Sequence, residues 1–170
     1  MSKYEYKILT LVRHGTAPSM AGDTVDYERQ LSSEGEQESQ TTGKWLHTLG
    51  LPLPEYILCS SSTRTQQTLT QLRHGWPQLQ SVETNFQKNL YATSHASVIQ
   101  TLASINSHIS HLLLIGHNPY ISELATTYTG IYMRMMPANA VVCELQEPHP
   151  CWSDALALDN YWKMKYHNTD

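Results

Sequence analysis

The sequence predicts an α/β fold built on a mostly parallel sheet with crossover helices, and two observations carry that prediction. Apolar, β-prone runs alternate with segments of helical periodicity from one end of the chain to the other. One run, Leu112-Leu113-Leu114-Ile115, is continuously apolar, as strands become when helices cover both faces of a parallel sheet. No internal repeat, low-complexity tract or linker divides the chain, and its 170 residues suffice for one domain with a real core. A single domain over residues 1–170 is the expectation.

The first run, Ile8 to Val12, reads as a buried strand that leaves Arg13, His14 and Gly15 at its carboxyl end, where open α/β sheets place their ligands. A polar, aperiodic stretch from Asp23 to Leu31 follows. Ser33 with Glu36 makes the capping box of a helix running from about Glu34 to Leu49, which Gly50, Pro52 and Pro54 stop. Tyr56 to Cys59 is a short strand entering Ser60-Ser61-Ser62. Ser62 is placed to cap a second helix, Thr63 to about His74, with Leu69 and Leu72 inward and Arg64 in its first turn.

Ser81 to Thr84 is a strand candidate carried by only four residues. Val98, Leu102, Ile105 and Ile109 share one helical face, with Ser94 or Ser97 as the cap. The apolar run at Leu112 to Ile115 delivers Gly116, His117 and Asn118 to its carboxyl end. Asn118 is expected to cap a helix with Pro119 at its first position, Ile121, Leu124, Ala125 and Tyr128 inward, and Gly130 after its end. Ala140 to Leu145 reads as a further strand and a candidate for an edge. Trp152 to Trp162 holds one more element, of a type the pattern leaves open.

Composition narrows the function classes. Hydrophobic residues at 40 % and charged residues at 15 % describe an ordinary globular protein. A net charge of −4 without any basic run argues against a nucleic-acid partner. Met1 to Lys7 carries charges where a signal peptide needs its apolar core, and no run approaches the roughly 20 apolar residues that span a bilayer. The expectation is a cytoplasmic protein with no membrane partner. Cys59, Cys143 and Cys151 show no metal-type or C-x-x-C spacing and read as reduced, mostly buried thiols.

The chemistry gathers at the strand ends. His14 and His117 each follow a strand, Arg64 opens a helix after a Ser-rich loop, Arg29 lies in a polar loop, and strand ends of one parallel sheet converge on one crevice. Such a cage, with helix N-termini after Ser62 and Asn118, holds too much positive charge to stand empty, so an anion is expected in it. A dianionic phosphoryl group fits, because the planar forks of Arg13 and Arg64 match its non-bridging oxygens and grip harder as charge develops. Gly15 lets the backbone approach that ligand. Nearby cations disfavour a further charge, so His14 is expected neutral with a free ring nitrogen for in-line attack, and His117 as a charged or donating partner. His47, His74, His95, His149 and His167 read as ordinary histidines. His108 and His111 have a metal-like spacing, but they straddle a helix end and a strand start without an H-E-x-x-H companion, so no metal site is predicted.

Leu11-Val12-Arg13-His14-Gly15 resembles the R-H-G signature of the histidine phosphatase superfamily, and three further segments follow in that family's order. Arg29-Gln30-Leu31-Ser32 with Gly35 resembles its R-x-L-[ST]-x-x-G segment. Ser60 with Arg64, Gln67 and Thr68 resembles S-x-x-x-R-x-x-Q-T, and Gly116-His117-Asn118-Pro119 the distal G-H-N-P. The four span about residues 8 to 145. The short length and the Met135-Met136-Pro137-Ala138 entry to the late strand are most similar to the SixA-type phosphohistidine phosphatase branch. The resemblance implies a histidine phosphatase-like three-layer sandwich around a central, mostly parallel (mixed) sheet. It implies His14 as a nucleophile forming a phosphohistidine, with Arg13, Arg64 and His117 binding the phosphoryl group. Gly15 and Asn118 stand at the substrate, and Arg29 contributes to the anion site or to packing. No cofactor and no metal are implied. The substrate would bear phosphate, foremost a phosphohistidine protein such as a phosphotransfer domain.

The pattern departs from the family at its acid. Many members carry a Glu after the second arginine's helix or an Asp after the distal His; here Ala92 and Asn118 stand at those places. Expelling an alkoxide needs a proton donor worth about 10²- to 10⁴-fold, whereas an imidazole, whose conjugate acid has a pKa near 6.5, leaves more readily. Phosphoramidates are therefore expected over alkyl phosphates. Glu83, Tyr91, His95 and Glu123 are candidates for a substitute acid, with core or surface roles favoured for all four. Two rival readings are a small-molecule phosphatase with a donor near Ala92 or Glu83, and a phosphate-binding module without turnover.

Overall fold

All the strand-forming runs enter one sheet in a computed structural model that describes residues 6–19, 25–147, 149 and 151–168. In chain order the elements are β1 (Ile8–Arg13), α1 (Ser33–Thr48), β2 (Tyr56–Ser60), α2 (Thr63–Gly75), β3 (Glu83–Gln87), α3 (His95–Ala103), β4 (His111–Gly116), α4 (Tyr120–Thr129), β5 (Ala140–Leu145), α5 (Trp152–Leu156) and β6 (Trp162–His167). The strands lie in the order β3-β2-β4-β1-β5-β6. The first four of that order are mutually parallel, while β5 runs antiparallel to β1 and β6 antiparallel to β5.

The alternation of side chains along β1 and β4 makes the three layers. Leu9, Leu11, Leu112 and Leu114 face α3, α4 and α5 through Val98, Leu102, Leu124 and Trp152. Ile8, Val12, Leu113 and Ile115 face α1 and α2 through Leu46, Leu69 and Leu72. Each such side chain contributes about 1.5–3 kcal/mol by leaving water. Right-handed crossovers put α1 and α2 on one face as the chain moves outward from β1 to β3, and α3 on the other as it returns to β4. Adjacent β1 and β4 therefore send their next helices to opposite faces. That divergence opens a crevice beyond the register pair Arg13 and Gly116.

Local differences from the sequence reading have local causes. Ser32 rather than Ser33 caps α1, its Oγ accepting from Gly35 N at 3.0 Å. Glycine at that third position has no side chain to return the bond, so the capping box does not form. Helix α3, capped by Ser94, ends at Ala103 because Asn106 turns the chain by accepting from His108 N at 2.9 Å; Ile105 and Ile109 still pack on the same core from the loop. Helix α4 begins after a cis Asn118–Pro119 bond, and Asn118 does not cap it. The weak strand signal lands two residues late, at β3. β5 is not an edge, because β6 covers it, and Trp152 to Trp162 divides into α5, a 3-10 turn and the start of β6.

Candidate active site

His14 leaves β1 with its backbone stitched on both sides. Its N–H donates to Gly116 O at 3.1 Å, and its carbonyl accepts from Ala138 N at 3.1 Å. On the ring, Nδ1 lies 2.8 Å from Gly15 O, which can only accept, so Nδ1 carries the proton and Nε2 keeps its lone pair. Arg64 Nε donates to that Nε2 at 3.3 Å. Gly15 itself serves this geometry differently from expectation. Its N–H is taken by Thr68 Oγ1 at 3.1 Å rather than left for a ligand, and a Cβ would fall 2.5 Å from Gly35 O. Glycine is required there by the close approach of α1.

Arg64 is held from behind by a residue that the sequence left in an aperiodic stretch. Its Nη1 donates to Asp26 O at 2.7 Å and its Nη2 to Asp26 Oδ2 at 3.1 Å. Asp26 also pairs with Arg29 Nη2 at 3.2 Å and accepts the Tyr91 hydroxyl at 2.6 Å. The end-on fork of the guanidinium is thus anchored, and its Nε edge faces His14. The cage, expected from its arginines and histidines to be cationic and to hold an anion, thus contains a carboxylate of its own in Asp26, and Glu38 also acts on Arg13. Arg29 joins the site through Asp26 and otherwise donates to Pro18 O at 3.1 Å. Arg13 donates Nη1 to Met135 O at 3.0 Å, and its buried Nε has no partner among the described residues.

His117, at the end of β4, lies with its ring centroid 5.2 Å from that of His14. Its Nε2 is 2.8 Å from Ser60 Oγ and 3.5 Å from Ser62 Oγ, while its buried Nδ1 has no partner among the described residues. Tyr91 stands edge-on to this ring at 5.6 Å and 5.8 Å from the Arg64 guanidinium carbon. Of the candidates for a substitute acid, Tyr91 belongs to the site, against the core or surface role favoured for it, while His95 opens α3. Glu83 starts β3 at the far end from Gln87, which pairs with Ser60. Glu123 lines a separate surface groove with Thr127 and Tyr132. Asn118 is turned away: Nδ2 donates to Met135 O at 3.0 Å and Oδ1 accepts from Ser122 Oγ at 2.7 Å, so its side-chain amide is spent on shaping the 133–136 loop rather than on a ligand.

Burial sets the protonation states. His14 is pushed down to about 4, first by loss of water and then by Arg64 and Arg13, against the opposing bond to Gly15 O. His117 is pushed down to about 3, again by burial first, then by His14 and Arg64. Both rings are neutral at pH 7. For His14 this is the expected state with burial outweighing the cations; for His117 it removes the charged alternative. The Tyr91 hydroxyl is the largest cause holding the Asp26 carboxyl below the usual carboxylate range, and the same bond raises the Tyr91 phenol. Asp26 is therefore an anion and no proton donor.

Among the described residues no three His, Cys, Asp or Glu side chains cluster to hold a metal, and no helix is long and apolar enough to cross a membrane. His111 is buried with both ring nitrogens engaged, Nε2 with Thr10 Oγ1 at 2.8 Å and Nδ1 with Pro52 O at 2.7 Å.

No family model matches the sequence. An uncharacterized protein of Mycobacterium tuberculosis is 30 % identical over 107 residues, 63 % of each chain, so the chain matches somewhat under two thirds of that relative's length. Among solved structures, the putative phosphohistidine phosphatase SixA of Nakamurella multipartitia superimposes with a TM-score of 0.77 at 20 % identity over 96 % of both chains. The protein histidine phosphatase SixA complexed with tungstate superimposes at 0.76, with 19 % identity over 95 % of this chain and 96 % of that one. This chain has the histidine phosphatase fold. A mycobacterial glucosyl-3-phosphoglycerate phosphatase shares it less closely, at a TM-score of 0.61 and 13 % identity over 97 % of this chain and 100 % of that one. The histidine phosphatase fold accounts for the separation of the motifs in sequence: β1, the start of α2 and the end of β4 are neighbours only after the crossovers have formed.

Proposed function

We propose that this protein is a phosphatase that carries the phosphoryl group on His14 Nε2 and delivers it to water, with a phosphohistidine protein as substrate. The observation that carries the reading is the state of His14: Nδ1–H is fixed on Gly15 O at 2.8 Å, so the opposite lone pair points at Arg64 Nε, 3.3 Å away. In the first step the hydrogen bond from Arg64 Nε–H passes from His14 Nε2 to a phosphoryl oxygen, and the freed Nε2 lone pair bonds to phosphorus while the substrate's P–N bond breaks, its electron pair going to the departing nitrogen. A phosphoimidazole protonated on its other ring nitrogen leaves as neutral imidazole and takes no proton from the site. In the second step a water oxygen bonds to phosphorus, the His14 P–N bond returns its pair to Nε2, and one water proton passes to the phosphate released.

Arg13, Arg64 and the ring of His117 neutralise the charge that builds on the phosphoryl oxygens, and Arg29 adds to their field through Asp26. Three guanidinium groups supply the positive charge that a metal supplies elsewhere, so the reaction is metal-independent. Ionised Asp26 cannot protonate an alkoxide, which favours a phosphoramidate over a sugar phosphate. The higher TM-scores to the two SixA structures support the same choice. Three unpaired thiols, two of them buried, suit a reducing compartment such as the cytoplasm.

The test is a substrate panel with trapping of the intermediate. Turnover of a phosphohistidine protein should exceed that of glucose 6-phosphate by about 10²-fold or more in kcat/KM, with an acid-labile phosphoenzyme that His14→Ala abolishes. Faster turnover of the sugar phosphate makes it a small-molecule phosphatase. Phosphate binding without turnover of either substrate or of p-nitrophenyl phosphate makes it a binding module.

A further inference from the structure

We propose that Ser60 is a positioning residue that donates its hydroxyl proton to His117 Nε2, holding that ring as the Nδ1–H tautomer with the N–H presented to a phosphoryl oxygen. The inference deepens the phosphatase reading above and rests on it for the identity of the ligand. Its structural half stands on proton accounting alone. Ser60 is fully buried at the last position of β2, and among the described residues its Oγ has one partner, His117 Nε2 at 2.8 Å.

The neighbouring hydroxyls do not compete for that role. Thr65 Oγ1 lies 2.6 Å from Ser60 O and donates to it, which leaves Thr65 Oγ1 free to accept from Ser62 Oγ at 2.8 Å. Ser62 thereby spends its proton without His117, from which it is 3.5 Å away. If Nε2 of His117 carried the ring proton, Ser60 could only accept it. The Ser60 hydrogen would then be buried without an acceptor, and Nδ1 would be buried without a donor. An orphaned buried polar group costs about 1–3 kcal/mol. With Ser60 donating, every proton in the cluster is placed except Nδ1–H, which a phosphoryl oxygen completes. His117 is only 6 % exposed and burial favours its neutral form, so a single ring proton is available to be directed.

The arrangement has a chemical use. A neutral imidazole can bind an anion only through the nitrogen that bears the proton, so the wrong tautomer turns a lone pair toward the phosphoryl oxygens and repels them. His14 gets its tautomer from Gly15 O, an acceptor, and so exposes a lone pair. His117 gets the opposite tautomer from Ser60, a donor, and so exposes an N–H. Two neutral histidines at one site are set to opposite roles by one backbone carbonyl and one serine hydroxyl.

The experiment is long-range ¹H–¹⁵N correlation of the His117 ring at pH 7, with His117→Gln for assignment, on wild-type protein, Ser60→Ala and Ser60→Thr, together with steady-state kinetics. Wild-type protein should show the Nδ1–H pattern, and its Nδ1 resonance should shift when tungstate is titrated in. Ser60→Ala should populate the Nε2–H tautomer and lower kcat about 10- to 100-fold, within the range for loss of one oxyanion donor, and Ser60→Thr should restore both. An Nε2–H pattern in wild-type protein overturns the proposal, as does a Ser60→Ala variant that keeps the Nδ1–H pattern and full kcat. The wild-type spectrum needs neither turnover nor a variant that folds. A protein with no phosphatase activity but an Nδ1–H ring that responds to tungstate therefore sinks the phosphatase reading and leaves the tautomer assignment standing.

Discussion

Acidification from pH 7 to pH 5 should destabilise this protein by several kcal/mol through three buried histidines. His14 and His111 are pushed down to about 4 and His117 to about 3, each from an ordinary value of 6.5, with burial as the largest cause in every case. Between those folded-state values and 6.5 the unfolded chain binds protons that the folded chain refuses, so stability falls as pH falls through 6.5 and goes on falling toward 4. At pH 7 the effect is small. By pH 5 each ring has given up about 2 kcal/mol, and the three together about 5–6 kcal/mol. That approaches the whole stability of an ordinary domain, about 5–15 kcal/mol. Protonation of Asp26, whose carboxyl is held below its usual range, acts in the same direction at lower pH. Urea denaturation at pH 7, 6 and 5 measures the loss as a fall in midpoint. A variant carrying His14→Asn and His117→Gln keeps His111 and the half-buried His167, which burial also lowers, and should keep somewhat more than one third of the slope. His14, the proposed nucleophile, stays unprotonated to near pH 4, so activity lost between pH 6 and 5 should follow the far-UV circular dichroism rather than a separate titration. Midpoints that stay flat from pH 7 to 5 would refute the assignment of buried neutral rings.

Three further outcomes are expected. Gly15→Ala drives a Cβ to 2.5 Å from Gly35 O; the overpacking should cost about 1–3 kcal/mol in a thermal melt and, by displacing the adjacent His14, more than tenfold in kcat. Asp26→Asn removes two ion pairs and a charged acceptor, but with the Asp26 side chain 38 % exposed its effect on stability should stay near 1 kcal/mol. Its larger effect should be a roughly tenfold lower kcat with tighter tungstate binding, seen by kinetics and calorimetry, because Arg64 loses its anchor and the site loses a negative charge. EDTA should leave phosphatase activity unchanged, and loss restored by a divalent ion would count against the metal-independent reading.

What the sequence made legible was whatever its own periodicity and strand ends express. β1 and β4 are apolar runs whose next residues must emerge at the sheet's carboxyl edge, so the pattern alone brings His14 and His117 together. The start of α2 and its Arg64 follow from Ser62 by the same local logic. Asp26 was not legible, because its meaning lies in Arg64 and Tyr91, 38 and 65 residues away in sequence. The only local trace was its spacing to Arg29, an i,i+3 ion pair. The place of Tyr91 is not legible either, because nothing in Asn89-Leu90-Tyr91-Ala92 tells which way a tyrosine faces. β6 is a different case: Trp162, Met164 and Tyr166 alternate with Lys163, Lys165 and His167, a strand pattern the sequence does express, but it starts at the residue where the stretch Trp152 to Trp162, of mixed type, ends.

The missing acid and the unexpected carboxylate belong to one arrangement. Ala92 leaves no carboxyl where a proton donor would sit, and Tyr91 beside it sends its hydroxyl to Asp26. That bond keeps Asp26 ionised, and ionised Asp26 holds the guanidinium of Arg64 in the plane that brings Nε to His14. Giving Asp26 a proton to donate would weaken its ion pairs with Arg64 and Arg29, so this site cannot use it as an acid without loosening Arg64, the partner of the proposed nucleophile His14. On the phosphatase reading proposed above, selection falls on the leaving group: a substrate whose departing nitrogen is already prepared to leave neutral would meet every group it needs, and an alkyl phosphate all of them but one.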